Sequence, residues 1–305
     1  MRRAGVIMLA LIALVAILAP WLAPNPPDHR FGDLLYAPPT PVHIFDSDGT
    51  GPHVHAWRLV SRIERRFEDD PSSRGPLLVL GADAYGRDIF SRLLNGGRVT
   101  LALAVCATLA ATLLGALIGG IAGYAGGALD AMLSRLSEFV LVLPAIYVAL
   151  ALRAVMPLVL PASTVFVLLL VIFALLGWPM VARGVRAIVV SEREREYAIA
   201  ARAAGASAAR ILVRHLLPAA GGYLRTQATL LLPAFILAEA TLSYIGLGFP
   251  DTTPTWGTML QEASNVALLG DAPWTLAPAA AIFAVVLGVN LVVQGTGRAP
   301  VQLEP

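Results

Sequence analysis

The stretch Ser191–Pro218 reads SEREREYAIAARAAGASAARILVRHLLP, and it decides how the rest of the sequence is interpreted. It is too charged to lie in a membrane, yet long apolar runs flank it on both sides. Alanine, the best helix former, dominates from Ala198 to Ala209. Gly205 can adopt the left-handed conformation that ends one helix, and Ser207 suits the N-cap of the next. The stretch therefore predicts two short helices joined by a sharp turn, which together offer a partner protein a surface to grip.

The composition indicates a membrane protein. Of the 305 residues, 57% are hydrophobic and only 14% are charged, whereas soluble proteins carry about 25% charged residues. The basic residues are all arginine and do not line one amphipathic face, so we do not expect a nucleic-acid-binding protein. Cys106 is the single cysteine, which excludes an internal disulfide and a multi-cysteine metal site.

Apolar segments of about 20 residues are long enough to cross a bilayer as helices. We predict an all-α membrane protein with six transmembrane helices, near Ala4–Ala23, Val99–Leu129, Phe139–Leu152, Ala162–Ala182, Tyr223–Tyr244 and Pro273–Gln294. A short polar link, Asp130–Glu138, is expected before the third span, which Pro144 should kink. Glycines recur along the second span, and small residues let transmembrane helices approach closely, so we expect this span inside the bundle.

Charge asymmetry predicts the orientation. Most arginines outside the long first loop fall on one side of the six spans, whereas the short loop 246–272 carries acidic residues and no arginine; those on the one side are Arg2, Arg3, Arg135, the arginines from Arg183 to Arg214, and Arg298. The positive-inside tendency therefore places both termini and residues 191–218 in the cytoplasm. The predicted division is an N-terminal anchor 1–23, an extracytoplasmic region 24–98, a membrane domain 99–298 and a tail 299–305. We interpret 1–23 as a retained anchor because it is long for a signal-peptide core.

The first loop is the long hydrophilic region of the chain. Its acidic and histidine side chains invite a metal-site interpretation; they are His43, Asp46, Asp48, His53 and His55. Residues 46–49 echo part of a calcium loop, but the later ligands are missing, and we assign no metal. We expect residues 38–74 to form outer surface, with a strand near 54–60.

Residues 191–218 resemble the cytoplasmic signature loop of ABC-importer permeases, in which two alanines, a glycine and a closing Leu-Pro recur at fixed spacing. The alanines are Ala200 and Ala201, the glycine is Gly205, and the pair is Leu217–Pro218. Ile199 and His215 depart from the commonest residues, which are glutamate and isoleucine. The alternative is an ordinary alanine-rich amphipathic helix. The resemblance implies an ATPase-coupling role for Glu196, Tyr197, Ala200, Ala201, Arg202, Ala204, Gly205, Arg210, His215 and Pro218.

A second motif, GADAYGRDIFSR at 81–92, resembles a box that precedes the second span in peptide-importer permeases. Its matching residues include Gly86, Arg87, Asp88, Ser91 and Arg92. Gly86 allows a tight turn, and Asp88 can cap a helix. We expect this helix to carry Arg92 toward the outer headgroups and to seat the span at the membrane interface.

A third motif resembles the last outer segment of the same permeases, running from Glu239 through Pro254-x-Trp256-Gly257-x-Met259. It supplies candidates for the outer mouth of a pathway, namely Glu239, Ser243, Gly246, Gly248 and Trp256. An ionisable group within a span usually faces protein or water, so Glu239 either lines the pathway or is buried in a hydrogen bond between helices. Trp256 also suits the membrane interface.

Together the motifs make the chain similar to the second permease subunit of dipeptide and oligopeptide ABC importers. This resemblance implies a type I importer fold in a bacterial inner membrane, a sister permease, two ATP-binding subunits and an extracytoplasmic solute-binding protein. ATP and Mg²⁺ would be used by the partner subunits, and we expect no cofactor in this chain. With no lysine it cannot form a Gly-x-x-x-x-Gly-Lys-Ser/Thr loop, so it cannot hydrolyse ATP by that route.

Three other interpretations remain open on the sequence. The same permease type carries nickel, glutathione or other small solutes in other importers. A secondary transporter would be expected to place several ionisable groups within its spans, where this chain has Glu239. An intramembrane enzyme would need a motif such as His-Glu-x-x-His, which is absent.

The predicted orientation can be tested by cysteine labelling. In a Cys106→Ser background, Ser72→Cys and Ser207→Cys should label from opposite sides of the membrane. An impermeant thiol reagent applied to intact cells should reach position 72 and not position 207. Labelling of both positions would contradict six spans with a cytoplasmic N-terminus.

Overall fold

The computed structural model of the protein describes residues 2–43, 53–61, 66–155, 157, 160–264 and 270–294. The chain folds as two compact units. The first unit comprises residues 1–101 and 239–292, and the second comprises residues 102–238 and 293–305.

Helices dominate the described part of the chain. In order they are α1 (Arg2–Leu22), α2 (Ile89–Ala125), α3 (Gly127–Val142), α4 (Ala145–Ala154), α5 (Ala162–Glu192), α6 (Glu196–Ala203), α7 (Ala208–Ile211), α8 (Leu217–Ala219), α9 (Gly221–Tyr244), α10 (Trp256–Glu262) and α11 (Ala277–Gln294). A π-helical turn, Leu212–Leu216, precedes α8, and a 3₁₀ turn, Pro273–Leu276, leads into α11.

Within the described residues, five helical segments are long and apolar enough to cross a membrane: α1, α2, α5, α9 and the segment Pro273–Val293. A sixth crossing results if α3 and α4, which meet at a bend of 84°, form one broken span. The bend lies at Pro144, where Leu143 is extended and α4 starts anew. A proline interrupts the helical hydrogen bonds, so the expected kink at this residue is confirmed.

Three boundaries differ from the sequence-based prediction. The helix that Asp88 was expected to cap and the second span predicted from Val99 form one continuous helix, α2, because the charged Arg92 is paired inside the protein and does not interrupt it. Residues 130–138, predicted as a polar link, lie inside α3. The break falls instead at Gly126 and Gly127, whose φ angles are 66° and 60°. Helix α5 continues ten residues beyond the predicted end and carries two arginines past the apolar run.

The first loop adds a small antiparallel sheet to this helical protein. Its order is β1–β2–β3, formed by Val42–His43, His53–Ser61 and Arg66–Arg74. The expected strand near 54–60 is confirmed as part of β2. Trp57 and Phe67 meet edge to face at 6.4 Å and pack over a core of Leu34, Ala37, Leu78 and Ala82. The loop thus has its own apolar centre.

Close contact between α2 and α5 in the second unit depends on glycine. Gly115, Gly119 and Gly123 recur every four residues along one face of α2, and each faces α5. A Cβ atom on Gly123 would lie 2.8 Å from the carbonyl oxygen of Arg186, and one on Gly119 would collide with the carbonyl group of Ala182. Such separations leave no room for a side chain, which agrees with the expectation that α2 is packed against other helices.

Gly119→Ala should therefore destabilise the protein by about 1–3 kcal/mol, the usual cost of overpacking. Gly222→Ala is the matched control, because nothing lies within 4 Å of a Cβ atom at that position. Thermal unfolding in detergent should show a lower melting temperature for the first variant and no loss for the second. Equal melting temperatures would show that α2 and α5 separate at low cost.

Candidate functional site

The stretch 191–218 folds as the sequence predicts. Helix α6 ends before Gly205, which has a φ of 78°. Ser207 caps α7, and its Oγ accepts a hydrogen bond from the backbone N–H of Arg210 at 3.4 Å. The π-helical turn and α8 then complete the stretch. The helix–turn–helix is therefore confirmed, with Gly205 in the conformation that favours glycine.

One face of α6 packs against the other helices of the second unit. Ala198 is fully buried in a cluster that includes Val185, Val189 and Ile211, and Ala201 is half-buried against the same cluster. Ala201, for which an ATPase-coupling role was predicted, therefore lies partly against its own protein. The spacing of the alanines does not indicate which of them are buried in the core.

The opposite face of α6 is exposed. It presents the side chains at i, i+3, i+4 and i+7, which are Glu196, Ile199, Ala200 and Ala203. Ile199 is 50% exposed and lies where the resemblance led us to expect a glutamate. Ile199 was not among the predicted site residues. The sequence feature that could have identified it is an isolated branched apolar residue in a charged loop.

Contacts with two tyrosine side chains hold α6 near each of its ends. The hydroxyl of Tyr197 donates a hydrogen bond to Glu192 Oε2 at 2.7 Å, and its ring lies 6.3 Å from that of His215. Burial and the bond to the Glu192 carboxylate raise the pKa of Tyr197, so the phenol remains a donor. The guanidinium of Arg202 lies 5.8 Å from the ring centroid of Tyr124 at the end of α2.

The remaining residues of the predicted loop site are accessible. Ala204, Arg210 and Pro218 are exposed, and His215 is half-buried within the π-helical turn. A π-helical turn is unusual and often occurs at functional positions. Apart from Ala201 and the half-buried His215, the predicted coupling residues therefore lie on an open surface of the second unit.

The second motif forms a buried ion cluster in the first unit. Arg87 Nε lies 2.7 Å from Asp83 Oδ2, and Arg87 Nη2 lies 2.6 Å from Glu262 Oε1. Arg92 Nη2 lies 3.0 Å from the same oxygen of Glu262. Burial opposes the charge of Arg87, but the two carboxylates outweigh it and raise the pKa of Arg87.

The expectation that Arg92 extends toward headgroups is wrong, because its side chain is fully buried. Its partner Glu262 is 170 residues away, and no local pattern points to that pairing. The expected cap is present: Asp88 Oδ1 accepts a hydrogen bond from the N–H of Phe90 at 3.0 Å, and Asp88 Oδ2 accepts one from the Ser91 hydroxyl at 2.6 Å. Gly86 has a φ of 72°, as a tight turn requires.

The third motif surrounds Glu239. Its side chain is 1% exposed and accepts hydrogen bonds from three hydroxyl groups. These come from Ser243 at 2.7 Å, Thr255 at 2.8 Å and Thr100 at 3.2 Å. The carboxylate thus joins α9 to α2 and to the N-cap of α10. Of the two interpretations left open by the sequence, this geometry favours a buried contact between helices.

The neighbours of Glu239 serve the same contact. Trp256 is buried inside the protein, and its Nε1 donates to the carbonyl of Leu93 at 3.1 Å. Gly248 and Gly257 are buried, and a Cβ atom on either would collide with Ser243. Gly246 is exposed at a turn with a φ of 78°. Thr100 and Thr255 were not predicted as site residues, since a single threonine in a sequence does not indicate its hydrogen-bond partner.

In the first loop, the candidate metal ligand His55 is paired with a carboxylate. His55 Nδ1 lies 2.8 Å from Asp69 Oδ2. Asp46 and Asp48 lie outside the described residues. In the described part of the chain, no group of three or more potential metal ligands comes together.

Comparisons with known proteins extend over nearly the whole chain. Residues 115–299 match the family described as binding-protein-dependent transport system inner membrane component. Residues 1–39 match the N-terminal TM domain of oligopeptide transport permease C.

Three curated relatives illustrate the similarity. The chain is 38% identical to a putative peptide permease protein of Brucella ovis over 216 residues, which is 70% of each chain. It is 31% identical to the di/tripeptide transport system permease protein of Pseudomonas aeruginosa over 292 residues, covering 95% of this chain and 84% of that protein. It is also 31% identical to the glutathione transport system permease protein of Escherichia coli over 296 residues, covering 97% and 84%.

The hydroxyl contacts predict what Glu239 does. Glu239→Ala would leave three buried hydroxyl groups without their acceptor and should destabilise the protein by about 2–4 kcal/mol. Glu194→Ala is the control, because that side chain is 70% exposed. The amount of protein in the membrane and its melting temperature should both fall for the first variant only. Unchanged stability with lost activity would instead place Glu239 on a pathway.

Proposed function

We propose that this chain, which belongs to the family of binding-protein-dependent transport system inner membrane components, forms half of a peptide translocation pathway and couples it to ATPase subunits. Family membership confirms that the chain is an integral inner-membrane permease subunit of an ABC importer. It also confirms that the chain is a transport component rather than an enzyme, and it disfavours the secondary-transporter alternative.

The observation that carries the coupling proposal is the exposed face of α6. A short helix at the end of the long α5 presents small side chains and the apolar Ile199 outward, while Ala198 fixes its other face in the core. An ATPase subunit whose cleft receives this face would move α6, and α5 would follow because the two share the buried cluster. Glu196 would lie at the rim of the docking surface.

The assembly we propose contains four kinds of subunit. A sister permease completes the pathway, two ATP-binding subunits use ATP and Mg²⁺ in the cytoplasm, and an extracytoplasmic protein delivers the solute. Both termini of this chain would be cytoplasmic, which agrees with the arginine distribution. This chain would bind neither nucleotide nor metal.

Peptides are the solute class that the relatives support best. Two of the relatives described above are named for peptides or di- and tripeptides, and a third is named for glutathione, which is itself a tripeptide. Nickel or another small solute carried in the same way is the alternative. Ligand binding to the cognate solute-binding protein would distinguish these solutes.

Gly205 provides the test of coupling. A side chain with a Cβ atom at this left-handed position meets a steric cost of roughly 1–2 kcal/mol, and a branched one meets more. Gly205→Val should therefore displace α6, whereas Gly205→Asn should be tolerated, since asparagine adopts this conformation readily. Nothing lies within 4 Å of a Cβ atom here, so steric collision with neighbours does not confuse the comparison.

The expected result for Gly205→Val is normal abundance in the membrane with reduced co-purification of the ATPase subunits and reduced transport. Gly205→Asn should keep most of both activities. If the valine variant retained normal co-purification and transport, residues 191–218 would not be the coupling element.

A further inference from the structure

The end of the second unit that carries α6 is held together by an ion pair outside the recognised motifs. Asp130, in the first turn of α3, faces Arg186 on α5. Arg186 Nε lies 2.5 Å from Asp130 Oδ1, and Arg186 Nη2 lies 2.7 Å from Asp130 Oδ2. The pairing is bidentate, so it fixes the angle between the two side chains as well as their separation.

A second contact joins α5 to the end of α2. Arg193 Nη1 donates hydrogen bonds to the carbonyl oxygens of Gly123 at 2.8 Å and Tyr124 at 3.4 Å. These carbonyls belong to the last turn of α2, where no intrahelical donor remains for them. Arg193 lies two turns beyond Arg186 and directly before α6, so α5 holds α2 and α3 at two successive points.

The contacts of α6 converge on the same place. Tyr197 bonds to Glu192 on the last turn of α5, and Arg202 lies over the ring of Tyr124. A displacement of α6 therefore acts on the end of α5 and on the end of α2. Helix α3 is reached from α2 only through the two left-handed glycines 126 and 127, which form a short joint. The Asp130–Arg186 pair is a directional contact that, together with the packing of α3 on α5, ties α3 to α5 close to that joint.

A pocket lies beside the pair. Its volume is about 180 Å³, and it lies between α2, α3 and α5, where Ser134 and Glu138 face Gly119 and Arg183. A tightly packed site would hold α3 in place without an ion pair. Here the pocket interrupts the packing between α3 and α5, so the directional contact adds to the packing that positions α3.

We propose that Asp130 and Arg186 are positioning residues that transmit movement of α6 to α3, and through the bend at Pro144 to α4. The inference rests on the proposed coupling function. It assigns the pair a mechanical role rather than one in stability. Partly exposed ion pairs contribute about 0–1 kcal/mol to stability, and Arg186 is 39% exposed. Loss of the pair should therefore change coupling far more than folding.

The experiment uses the complete transporter, purified with its partner subunits and reconstituted in vesicles. Asp130→Asn and Arg186→Gln each remove the charge pair at nearly constant size. We expect the number of ATP molecules hydrolysed per solute molecule transported to rise about fivefold or more over that of the unaltered complex. A fivefold change corresponds to the lower end of typical coupling energies. Co-purification of the ATPase subunits and the melting temperature should stay close to those of the unaltered complex. Glu68→Gln, which removes an exposed ion pair with Arg58 in the first unit, should leave the ratio unchanged.

The double variant Asp130→Asn with Arg186→Gln guards against the effects of an unpaired charge. If the pair acts as a unit, the double variant should be no worse coupled than either single variant. A double variant that restores normal coupling, an unchanged ratio in all three variants, or a melting temperature that falls in step with transport would each overturn the inference. None of these results would affect the proposed function, which depends on the docking of α6 as measured at Gly205.

Discussion

A charged or polar side chain among apolar helices must find a partner within the protein, and this constraint shapes every site described above. Glu239 is the sharpest case, since its carboxylate is buried and receives three hydroxyl groups from other parts of the first unit. Arg87 and Arg92 are buried only because Asp83 and Glu262 accompany them. In a bilayer the penalty for an unpaired group is higher than in water, so these contacts determine which helices meet.

Charged side chains of the second unit also find partners within the protein. Arg186 and Arg193 extend from α5 past the apolar run, and each finds an acceptor on a neighbouring helix. Glycine supplies the other half of the arrangement, because the face of α2 without side chains lets the backbones approach until such contacts are possible. Close packing by glycine and directional contacts by arginine together fix the helices that support α6.

Much of this could be predicted from the sequence where the determinant is local. Gly205 and Ser207 define a turn by their own conformational preferences, and Pro144 lacks the backbone N–H that a continuing helix needs, so these predictions were correct. Arg92 was misplaced, and the partial burial of Ala201 was not foreseen, because burial depends on distant partners, a carboxylate 170 residues away in one case and an apolar cluster in the other. Helix ends differ from the prediction for a similar reason. The predicted spans stopped at charged residues, but the protein pairs those charges and the helices continue through them. The same limit applies to Thr100 and Thr255, whose roles exist only in the folded chain.

The pairing of Arg92 with Glu262 has a consequence for how the protein is made. Ribosomes synthesise the chain from the N-terminus, so both arginines of the cluster leave the ribosome long before their shared acidic partner. Until α10 has been synthesised, Arg87 and Arg92 can pair with Asp83 but not with Glu262. The first unit can therefore close only after most of the chain has been inserted, and a nascent chain truncated before residue 262 would keep these charges in contact with water or with the insertion machinery.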